Sequence, residues 1–326
     1  MYISISEIEA RSHAALMAHG AGDWQAREVA RAVARAEATG NVICGLYYLE
    51  SYCTQLVSGR VNGTVDPEVV RVRPGAVTVN GRLGFAQPAF ARGLPEALAA
   101  ARECGIACLA VAHTHTCTSL GFFTEQIAAE GLIGLGFTNA SAIVAGPGGR
   151  KPTLGTNPIA VTIPGPNGHP RMHADFSTAA VALGKITMAK AAGESIPLGW
   201  AVDAEGEPTT DPEAALGGAL VSAAGYKGWA IGLMVEMLAA GLTGSVTSRE
   251  VKGLKLPDGP PHDLGQVYIL IDPDTHSDQF GAIADRVAAA VAEDAGARIP
   301  GARARGRDSA DVPDALWARV LELSGG

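Results

Sequence analysis

The stretch Leu154–Lys185, LGTNPIAVTIPGPNGHPRMHADFSTAAVALGK, predicts the centre of the fold. Apolar residues alternate with small or polar ones at positions 159, 161 and 163, which is the period of a β-strand. The turn-forming run Pro164–Gly168 follows, and Met172–Phe176 predicts a second short strand. From Ser177 the sequence is rich in alanine, so we expect a helix to begin there.

Asp175 and Ser177 would then lie where the second strand meets the start of a helix. The N–H groups at a helix start have no partner within the helix and carry partial positive charge, so they can bind a phosphate. An ordinary hairpin followed by a helix with Ser177 as its N-cap explains the same residues. The pattern alone leaves both interpretations open.

Composition and charge narrow the class of protein. The 326 residues are 47% hydrophobic and 18% charged, enough to bury one large or two medium cores. The net charge of −8 argues against binding to nucleic acid or to an anionic membrane surface. No apolar run approaches the roughly 18 residues of a membrane span, and the N-terminus lacks the pattern of a signal peptide. We therefore expect neither nucleic acid nor a membrane as a partner.

The cysteines point to the cellular compartment. The chain has five, an odd number in a large protein. Free thiols in a reduced, cytoplasmic protein are the simpler explanation.

The order of helix and strand patterns predicts the domains. The first 60 or so residues have helical patterns, strands and helices alternate after residue 70, and helices return at the C-terminus. This predicts an α/β core with an N-terminal helical domain, onto which the C-terminal helices pack back. The expected boundaries are 1–70, joined by about 275–326, for the helical domain, and 71–274 for the α/β domain.

Common nucleotide-binding motifs are missing. The chain has no G-x-G-x-x-G after a strand and no G-x-x-x-x-G-K-[ST], so neither a Rossmann nor a P-loop site is indicated. The loop Gly146–Lys151 is rich in glycine and ends in two cations, so it could face an anion or could be only a turn. Lys185 and Lys227 suit a phosphate or carboxylate, although such lysines are most often solvated cations.

Two groups of reactive side chains require an interpretation. His113, His115 and Cys117 alternate and could bind zinc with Cys104 or Cys108, but the spacing matches no strong zinc signature. We favour a polar turn near an active cleft and predict no metal site. Cys44, between apolar segments, is either a small buried residue or an acid or nucleophile with an altered pKa.

Several segments together resemble the malate/L-lactate dehydrogenase family, which lacks a Rossmann fold. That family includes malate, sulfolactate and ureidoglycolate dehydrogenases and reductases of cyclic imines such as piperideine-2-carboxylate. The segments are AAEGLIGLGFTNA (128–140), LGTNPIAVTIP (154–164), ADFSTAAVALGKI (174–186), IPLGWAVDAEGEPTTDPEAAL (196–216) and AAGYKGWAIGLMVEML (223–238). GLYYLESYC (45–53), LIGLGFTNA (132–140) and ARIPGAR (297–303) are most similar to the sulfolactate dehydrogenase branch.

The resemblance implies a homodimer that uses NADH or NADPH, with the active site near the subunit interface. It also implies a non-Rossmann nicotinamide-binding core in the α/β domain. The residues it assigns to the cofactor are Thr116, Cys117, Thr118, Ser119, Leu120, Asp175, Phe176 and Ser177. Weaker candidates are Lys227 in the Gly225–Gly228 turn and Arg303 in the run 300–303, while Lys185, Lys190, Arg303 and Arg305 would permit a 2′-phosphate.

The chain departs from the family where the proton is transferred. The family has a Ser-His pair, whose His donates the proton to the substrate, and this chain has Ile43 and Cys44 there. Many relatives have an arginine for the substrate carboxylate near the position of Tyr48, and a further family His aligns with Thr116, next to His115. Five residues could replace the acid: Cys44, Tyr47, Tyr48, His113 and His115. Of these we predict Cys44, Tyr48 and His115 as catalytic.

The predicted function is hydride transfer between a nicotinamide and a small carboxylate-bearing substrate. Reduction of a ketone creates an alkoxide that needs a proton, and a positioned acid contributes about 10²–10⁴-fold to the rate. An imine can bind already protonated, so the missing pair favours imine reduction, while 2-oxo acid chemistry stays open. The alternative is an inactive cofactor-binding homologue that acts as a partner or scaffold.

Overall fold

A computed structural model describes residues 1–301 and 305–325. The helices are α1 Ile5–Ala18, α2 Asp23–Thr39, α3 Leu46–Val57, α4 Ala86–Cys104, α5 Gly121–Ala129, α6 Leu183–Ala192, α7 Pro212–Gly217, α8 Tyr226–Glu236, α9 Phe280–Ala292 and α10 Asp314–Leu323. The longer strands are β2 Glu68–Arg73, β3 Ala76–Gly84, β4 Ile106–Thr114, β5 Ile133–Thr138, β8 Ile159–Ile163, β9 Met172–Phe176 and β13 Leu264–Ile271. The short strands are β1 Tyr2–Ser4, β6 Val144–Ala145, β7 Pro152–Leu154, β10 Ala201–Val202, β11 Pro208–Thr209, β12 Ala219–Leu220 and β14 Ser309–Asp311.

A seven-stranded sheet forms the centre of the molecule, in the order β2-β3-β4-β13-β5-β8-β9. Within it β3 and β4 run parallel, and the other neighbours are antiparallel. Helices α4 and α5 pack against it through buried Phe90, Phe123 and Tyr268. A mainly antiparallel sheet cannot be a doubly wound nucleotide-binding sheet, so the predicted non-Rossmann α/β core is confirmed.

The opening stretch supplies the last two strands of this sheet. β8 and β9 pair antiparallel, with Ile159 opposite Phe176 and Ile163 opposite Met172. Both strands end where the alternating pattern ends, so the predicted hairpin is confirmed. β9 is an edge strand, which leaves Asp175 and Phe176 at the border of the sheet.

The predicted helix from Ser177 is wrong, because the helix begins only at Leu183. The Ser177 Oγ accepts a hydrogen bond from the N–H of Ala179 (2.9 Å) and donates one to the carbonyl of Thr156 (3.1 Å). The N–H of Ala180 donates to the carbonyl of Val221 (2.9 Å). Pairing with this distant segment outweighs the helix propensity of the alanines.

The N-terminal helices share a second core with α10. Ile8, Tyr52 and Trp317 are among its buried residues, and β1 pairs with β14 beside it. The Oγ of Ser4 accepts a hydrogen bond from the N–H of Glu7 and caps the start of α1. For α10 this packing agrees with the expected return of the C-terminal helices, whereas Asp285 of α9 is bound by Arg171, next to β9. The domain boundaries themselves stay a prediction.

A third core, which the sequence did not suggest, lies under a five-stranded sheet in the order β11-β10-β12-β6-β7. Val144, Ile186 and Leu220 are buried in it. The turn between β2 and β3 forms at Pro74-Gly75, and Asn80-Gly81 lies within β3. None of the described helices has the length and apolar character needed to cross a bilayer.

Candidate active site

A 3₁₀ turn at Val42–Cys44 places the two residues that replace the expected Ser-His pair. Buried Glu37 fixes the turn by accepting a 2.7 Å hydrogen bond from the N–H of Leu46. Gly45 is required there, because a Cβ at this position would overlap the Glu37 carboxylate. Ile43 faces the start of α6, 3.9 Å from where a Cβ on Gly184 would lie.

A chain of polar contacts joins this turn to both predicted cofactor segments. The Asn41 Nδ2 donates to the Ser119 Oγ (3.3 Å), which in turn donates to Oδ2 of Asp175 (3.3 Å). The N–H of Gly121 donates to the same carboxylate oxygen (2.7 Å). Three segments that are far apart in sequence therefore meet in one cleft.

Close approach of β9 to α5 makes this cleft possible. A Cβ on Gly121 would lie 2.7 Å from Cε1 of His173 and 3.1 Å from the Cβ of Asp175. Only glycine lets the edge strand come near enough for Asp175 to reach the first residue of the helix.

Cys44 is held as a neutral thiol. Burial, together with the nearby charge of Asp175, raises its pKa to about 12, although the Asn41 amide and Lys255 act in the opposite direction. The pKa of the Asp175 carboxyl is itself raised, chiefly because packed protein removes water from it, although one side of the residue is open to solvent at the sheet edge. The Gly121 N–H opposes this shift by stabilising the carboxylate.

His115, predicted as catalytic, lies inside the protein. Its Nε2 hydrogen-bonds to Oε1 of Gln55, and its ring stacks on His262 with 3.9 Å between centroids. Burial, reinforced by His262, lowers the pKa of His115 well below its usual value, so the ring is neutral. The position of His115 gives it no open path to a substrate, and its catalytic role stays a prediction.

Tyr48, also predicted as catalytic, is 5% exposed. Its hydroxyl donates to the carbonyl of Leu254 (2.8 Å), and its ring packs edge-on against Tyr52. Burial raises the pKa of Tyr48 well above its usual value. With its proton already engaged, the hydroxyl is better placed to hold the 254 loop than to protonate a substrate, and its catalytic role also stays a prediction.

The segment 116–120 divides between core and cleft. Cys117 and Leu120 are buried, while Thr118 and Ser119 are partly exposed. The N–H of Thr116 donates to Nδ1 of His262 (3.2 Å), which fixes the start of the segment. Thr118 has a positive φ of 60°, an uncommon conformation for a β-branched residue and one that is often associated with binding sites.

The second segment offers the features that a dinucleotide needs. Of the two carboxylate oxygens of Asp175, Oδ2 accepts hydrogen bonds from described residues and Oδ1 accepts none from them. Oδ1 can therefore accept from a ribose hydroxyl or a carboxamide. The Phe176 ring is 50% exposed and can cover a planar base or nicotinamide. The residues present thus fit such a cofactor.

Two of the predicted cations are exposed at helix starts. Lys185 is exposed in the first turn of α6, and Lys227 is exposed in the first turn of α8. Beside the start of α8 is a cavity of about 580 Å³, lined by the glycine-rich loop Gly146–Gly149 and by Ala224-Gly225. Arg303 lies outside the described residues.

The three residues considered as zinc ligands do not converge. Nδ1 of His113 hydrogen-bonds to Oδ1 of Asp263 (2.7 Å), while His115 and Cys117 are buried separately. Within the described ranges no group of three or more His, Cys, Asp or Glu side chains is arranged to hold a metal ion.

Sequence reasoning missed the residues that hold segment 252–260 against α3. Arg60, 1% exposed, donates to the carbonyls of Lys252, Gly253, Leu256 and Pro260. Gln55 donates to the carbonyls of Leu254 and Leu256. These partners lie nearly 200 residues away, and no local pattern marks the pairing.

Comparisons with known proteins identify the family. Residues 3–315 match the family model described as malate/L-lactate dehydrogenase. The chain is 39% identical over 320 residues to a (2R)-3-sulfolactate dehydrogenase (NADP(+)) of Chromohalobacter salexigens, covering 96% of this chain and 95% of that protein. It is 38% identical over 335 residues to a Δ1-pyrroline-2-carboxylate reductase of Ancylobacter novellus, covering 98% and 97%.

A solved structure has the same fold throughout. The Δ1-piperideine-2-carboxylate reductase of Pseudomonas syringae superposes with a TM-score of 0.89 at 34% identity, covering 99% of each chain. The family predicted from the sequence segments is therefore confirmed, together with the class of enzyme, a nicotinamide-dependent oxidoreductase. The individual site residues stay predictions.

Proposed function

We propose that this chain, which belongs to the malate/L-lactate dehydrogenase family, reduces a small cyclic imine that carries a carboxylate. The observation that carries the proposal is the state of Cys44, the residue at the position of the expected proton donor. With its pKa raised to about 12, the thiol is a weak acid near neutral pH. General acids work best when their pKa lies close to the operating pH.

An imine makes little demand on such a site. When bound, the nicotinamide supplies a hydride, which adds to the carbon of the C=N bond. If the imine nitrogen is already protonated, the product is a neutral amine, and no side chain has to give up a proton. Cys44 then acts by packing in the site rather than as an acid. The negative charge of the Asp175 carboxylate favours binding of a cationic iminium nearby.

Reduction of a 2-oxo acid is the second candidate. The similarity to a sulfolactate dehydrogenase favours it. It requires a proton for the alkoxide, which a water bound beside Ser119 and Asn41 would have to supply. Because a thiol with a high pKa would contribute little, we expect 2-oxo acids to react at least about 10²-fold more slowly than the imine.

The cofactor would be held by the segments 116–120 and 175–177, with Asp175 and Phe176 as the main contacts. We propose NADPH as the preferred form, supported by the NADP(+) in the name of one relative and by the exposed cations Lys185 and Lys227. A 2′-phosphate gains from such cations, whereas a 2′-hydroxyl does not.

We also propose a homodimer in the cytoplasm. Helix α8, the π-helical turn Met237–Gly241 that follows it and the next residue, Leu242, expose large apolar side chains, with Tyr226 74%, Met237 63% and Leu242 60% exposed. An apolar surface of this kind usually marks an interface. All five cysteines are free thiols, as expected of a reducing compartment.

The test is a direct comparison of substrates. Purified protein is titrated with NADPH and NADH by nicotinamide fluorescence, and then NADPH oxidation is followed with cyclic imine carboxylates and with 2-oxo acids. We expect turnover of the imine with NADPH, and Cys44→Ala to leave its kcat within about 3-fold, because no enzymic acid is used. Faster turnover of a 2-oxo acid, or loss of imine turnover in Cys44→Ala, would reverse the assignment. Tight cofactor binding with turnover of neither class would support the scaffold alternative.

A further inference from the structure

His173 lies beside Asp175 at the edge of the central sheet. The two residues are two positions apart on β9, so their side chains point to the same face of the sheet, toward the start of α5. A Cβ on Gly121 would lie 2.8 Å from Nε2 of His173 and 3.1 Å from the Cβ of Asp175. The His173 side chain is 12% exposed, so the imidazole and the carboxylate pack against the same residue of α5.

A chain of hydroxyl groups determines which nitrogen of His173 carries a proton. The Thr162 Oγ1 donates to the Thr124 Oγ1 (2.8 Å), and the Thr124 Oγ1 donates to the carbonyl of Gly121 (3.2 Å). Both hydroxyl protons are then used, so Thr162 accepts from Nδ1 of His173, 2.9 Å away. Nδ1 therefore carries a proton, and Nε2 is the nitrogen that can gain or lose one.

That second nitrogen faces a carboxylate. Nε2 of His173 lies 3.6 Å from Oε1 of Glu125. Arg35 holds Glu125 in this position with two charged hydrogen bonds, from Nε (2.7 Å) and Nη2 (2.9 Å). The carboxylate repels a lone pair on Nε2 and attracts a proton there. The site thus suits an imidazolium, with a proton on each nitrogen.

The ionisation of Asp175 depends on this neighbour. Burial raises the pKa of the Asp175 carboxyl, whereas the charge of His173 lowers it and that of Glu125 acts in the same direction as burial. Hydrogen bonds from the Gly121 N–H and the Ser119 hydroxyl also stabilise the carboxylate. A positive charge on the same face of β9 therefore helps to keep Asp175 ionised where packed protein has removed water from it.

Other charged groups surround His173 at greater remove. Arg171, on the same strand end, is bound by Asp285 of α9 (2.8 Å). The 300–301 segment reaches His173 through the backbone, since the N–H of His173 donates to the carbonyl of Pro300 (3.0 Å). Glu125 and Arg35 border an open cavity of about 670 Å³, whose lining also carries Glu9, Arg31, Arg305, Arg307 and Asp308. Water in such an open cavity screens their effect on the imidazole.

We propose that His173 is a positioning residue whose positive charge keeps Asp175 ionised at the cofactor segment. In this role His173 acts through Asp175 and touches neither cofactor nor substrate. The role rests on the proposed function, in which Asp175 is a main cofactor contact, and it deepens that function because His173 then sets the acidic limit of the pH range in which the cofactor binds.

The experiment measures the dissociation constant of NADP⁺ by calorimetry between pH 5 and pH 8. In His173→Asn the amide Nδ2 takes the place of Nδ1 as the donor to Thr162, and the charge is lost. We expect this variant to match wild type within about 2-fold at pH 8 and to bind about 3- to 10-fold more weakly at pH 6, because Asp175 becomes protonated at a higher pH. The 2′-phosphate of NADP⁺ titrates alike with every variant, so differences between variants exclude it.

Three further variants separate charge from packing. His173→Lys restores a cation and should recover the pH dependence of wild type. His169→Asn removes an exposed histidine from the turn before β9 and should match wild type at every pH. In an Asp175→Asn background, which has no carboxyl to protonate, adding His173→Asn should leave the affinity at pH 6 within about 2-fold.

Four results would overturn the proposal. They are the same pH dependence in His173→Asn as in wild type, an equal loss of affinity at pH 6 and pH 8, no recovery in His173→Lys, and the same loss in His169→Asn. An equal loss at both pH values would show that His173 acts by packing alone.

Wild type provides a reading that needs no variant to fold. NAD⁺ has no group that titrates between pH 5 and pH 8, so its binding at pH 6 should release less than about 0.2 protons, as counted by calorimetry in buffers of different ionisation enthalpy. Release of nearly one proton would mean that Asp175 is protonated in the free protein, and the proposal would be wrong. Failure of the proposed function looks different, because 2-oxo acids would then be the better substrates while these binding profiles stayed as described.

Discussion

The backbone N–H of Gly121 donates a 2.7 Å hydrogen bond to Oδ2 of Asp175, so the carboxylate at the end of β9 meets the first residue of α5. A negative charge at a helix start is stabilised by the unpaired N–H groups there. This one contact joins the two segments that the family resemblance assigns to the cofactor. It also means that the start of α5 already holds an anion supplied by the protein.

We expect Asp175→Ala to weaken NADPH binding about 10-fold, since the cofactor loses an acceptor and the 116–120 segment loses its anchor. Asp175→Asn keeps an acceptor for Gly121 and should recover part of the loss. Fluorescence titration of both variants measures the effect. An unchanged dissociation constant in Asp175→Ala would remove this residue from the cofactor site.

Restoring the family pair should restore acid catalysis. In the double variant Ile43→Ser/Cys44→His, an imidazole with a pKa near neutrality replaces a thiol that keeps its proton. We expect kcat/KM for a 2-oxo acid to rise about 10²-fold, while imine reduction changes little. Ile43→Ser alone is the control and should show no gain. A double variant that folds, binds NADPH and gains nothing would show that the donor in this chain is elsewhere.

The rate of alkylation reports the pKa of the Cys44 thiol. A thiol with a pKa of about 12 has a thiolate fraction on the order of 10⁻⁴ at pH 8, against roughly a quarter for an unperturbed one. Iodoacetamide at pH 8 should therefore modify exposed Cys104 well before Cys44, as read by peptide mass spectrometry. In Asp175→Asn the reaction of Cys44 should accelerate, because the neighbouring negative charge is gone. Equal rates at the two cysteines in wild type would contradict a raised pKa.

Acid should destabilise the protein through the stacked histidines. Burial lowers the pKa of His262 to about 3, against about 6.5 for a free histidine. As the pH falls below 6.5, His262 becomes protonated in the unfolded chain but stays neutral in the folded protein. The stability present at pH 7 is therefore lost progressively toward pH 3. Between pH 7 and pH 5 the loss is about 2 kcal/mol for this one residue.

The variant His262→Asn isolates that contribution. The asparagine oxygen can take the place of Nδ1 and accept from the N–H of Thr116. The free energy of unfolding is measured by urea denaturation at pH 7 and at pH 5. The decrease between the two pH values should be about 2 kcal/mol smaller in His262→Asn than in wild type. Identical pH dependence in the two proteins would show that His262 is not buried as a neutral ring.

The sequence by itself determined the family, the strands Ile159–Ile163 and Met172–Phe176, and the loss of the Ser-His pair. Alternating side chains report which face of a strand is buried, and that information is local. The identities of Ile43 and Cys44 are chemical facts that need no coordinates, and they already favoured a substrate that carries its own proton.

Only the tertiary structure decided how those residues behave. Packing around Cys44 and the charge of Asp175 set its pKa, and stacking on His262 turned His115 inward. Lys255 comes near the start of α3 through contacts that span about 200 residues. Desolvation and long-range hydrogen bonds depend on which distant segments meet, and helix propensity after Ser177 gave way to them for the same reason.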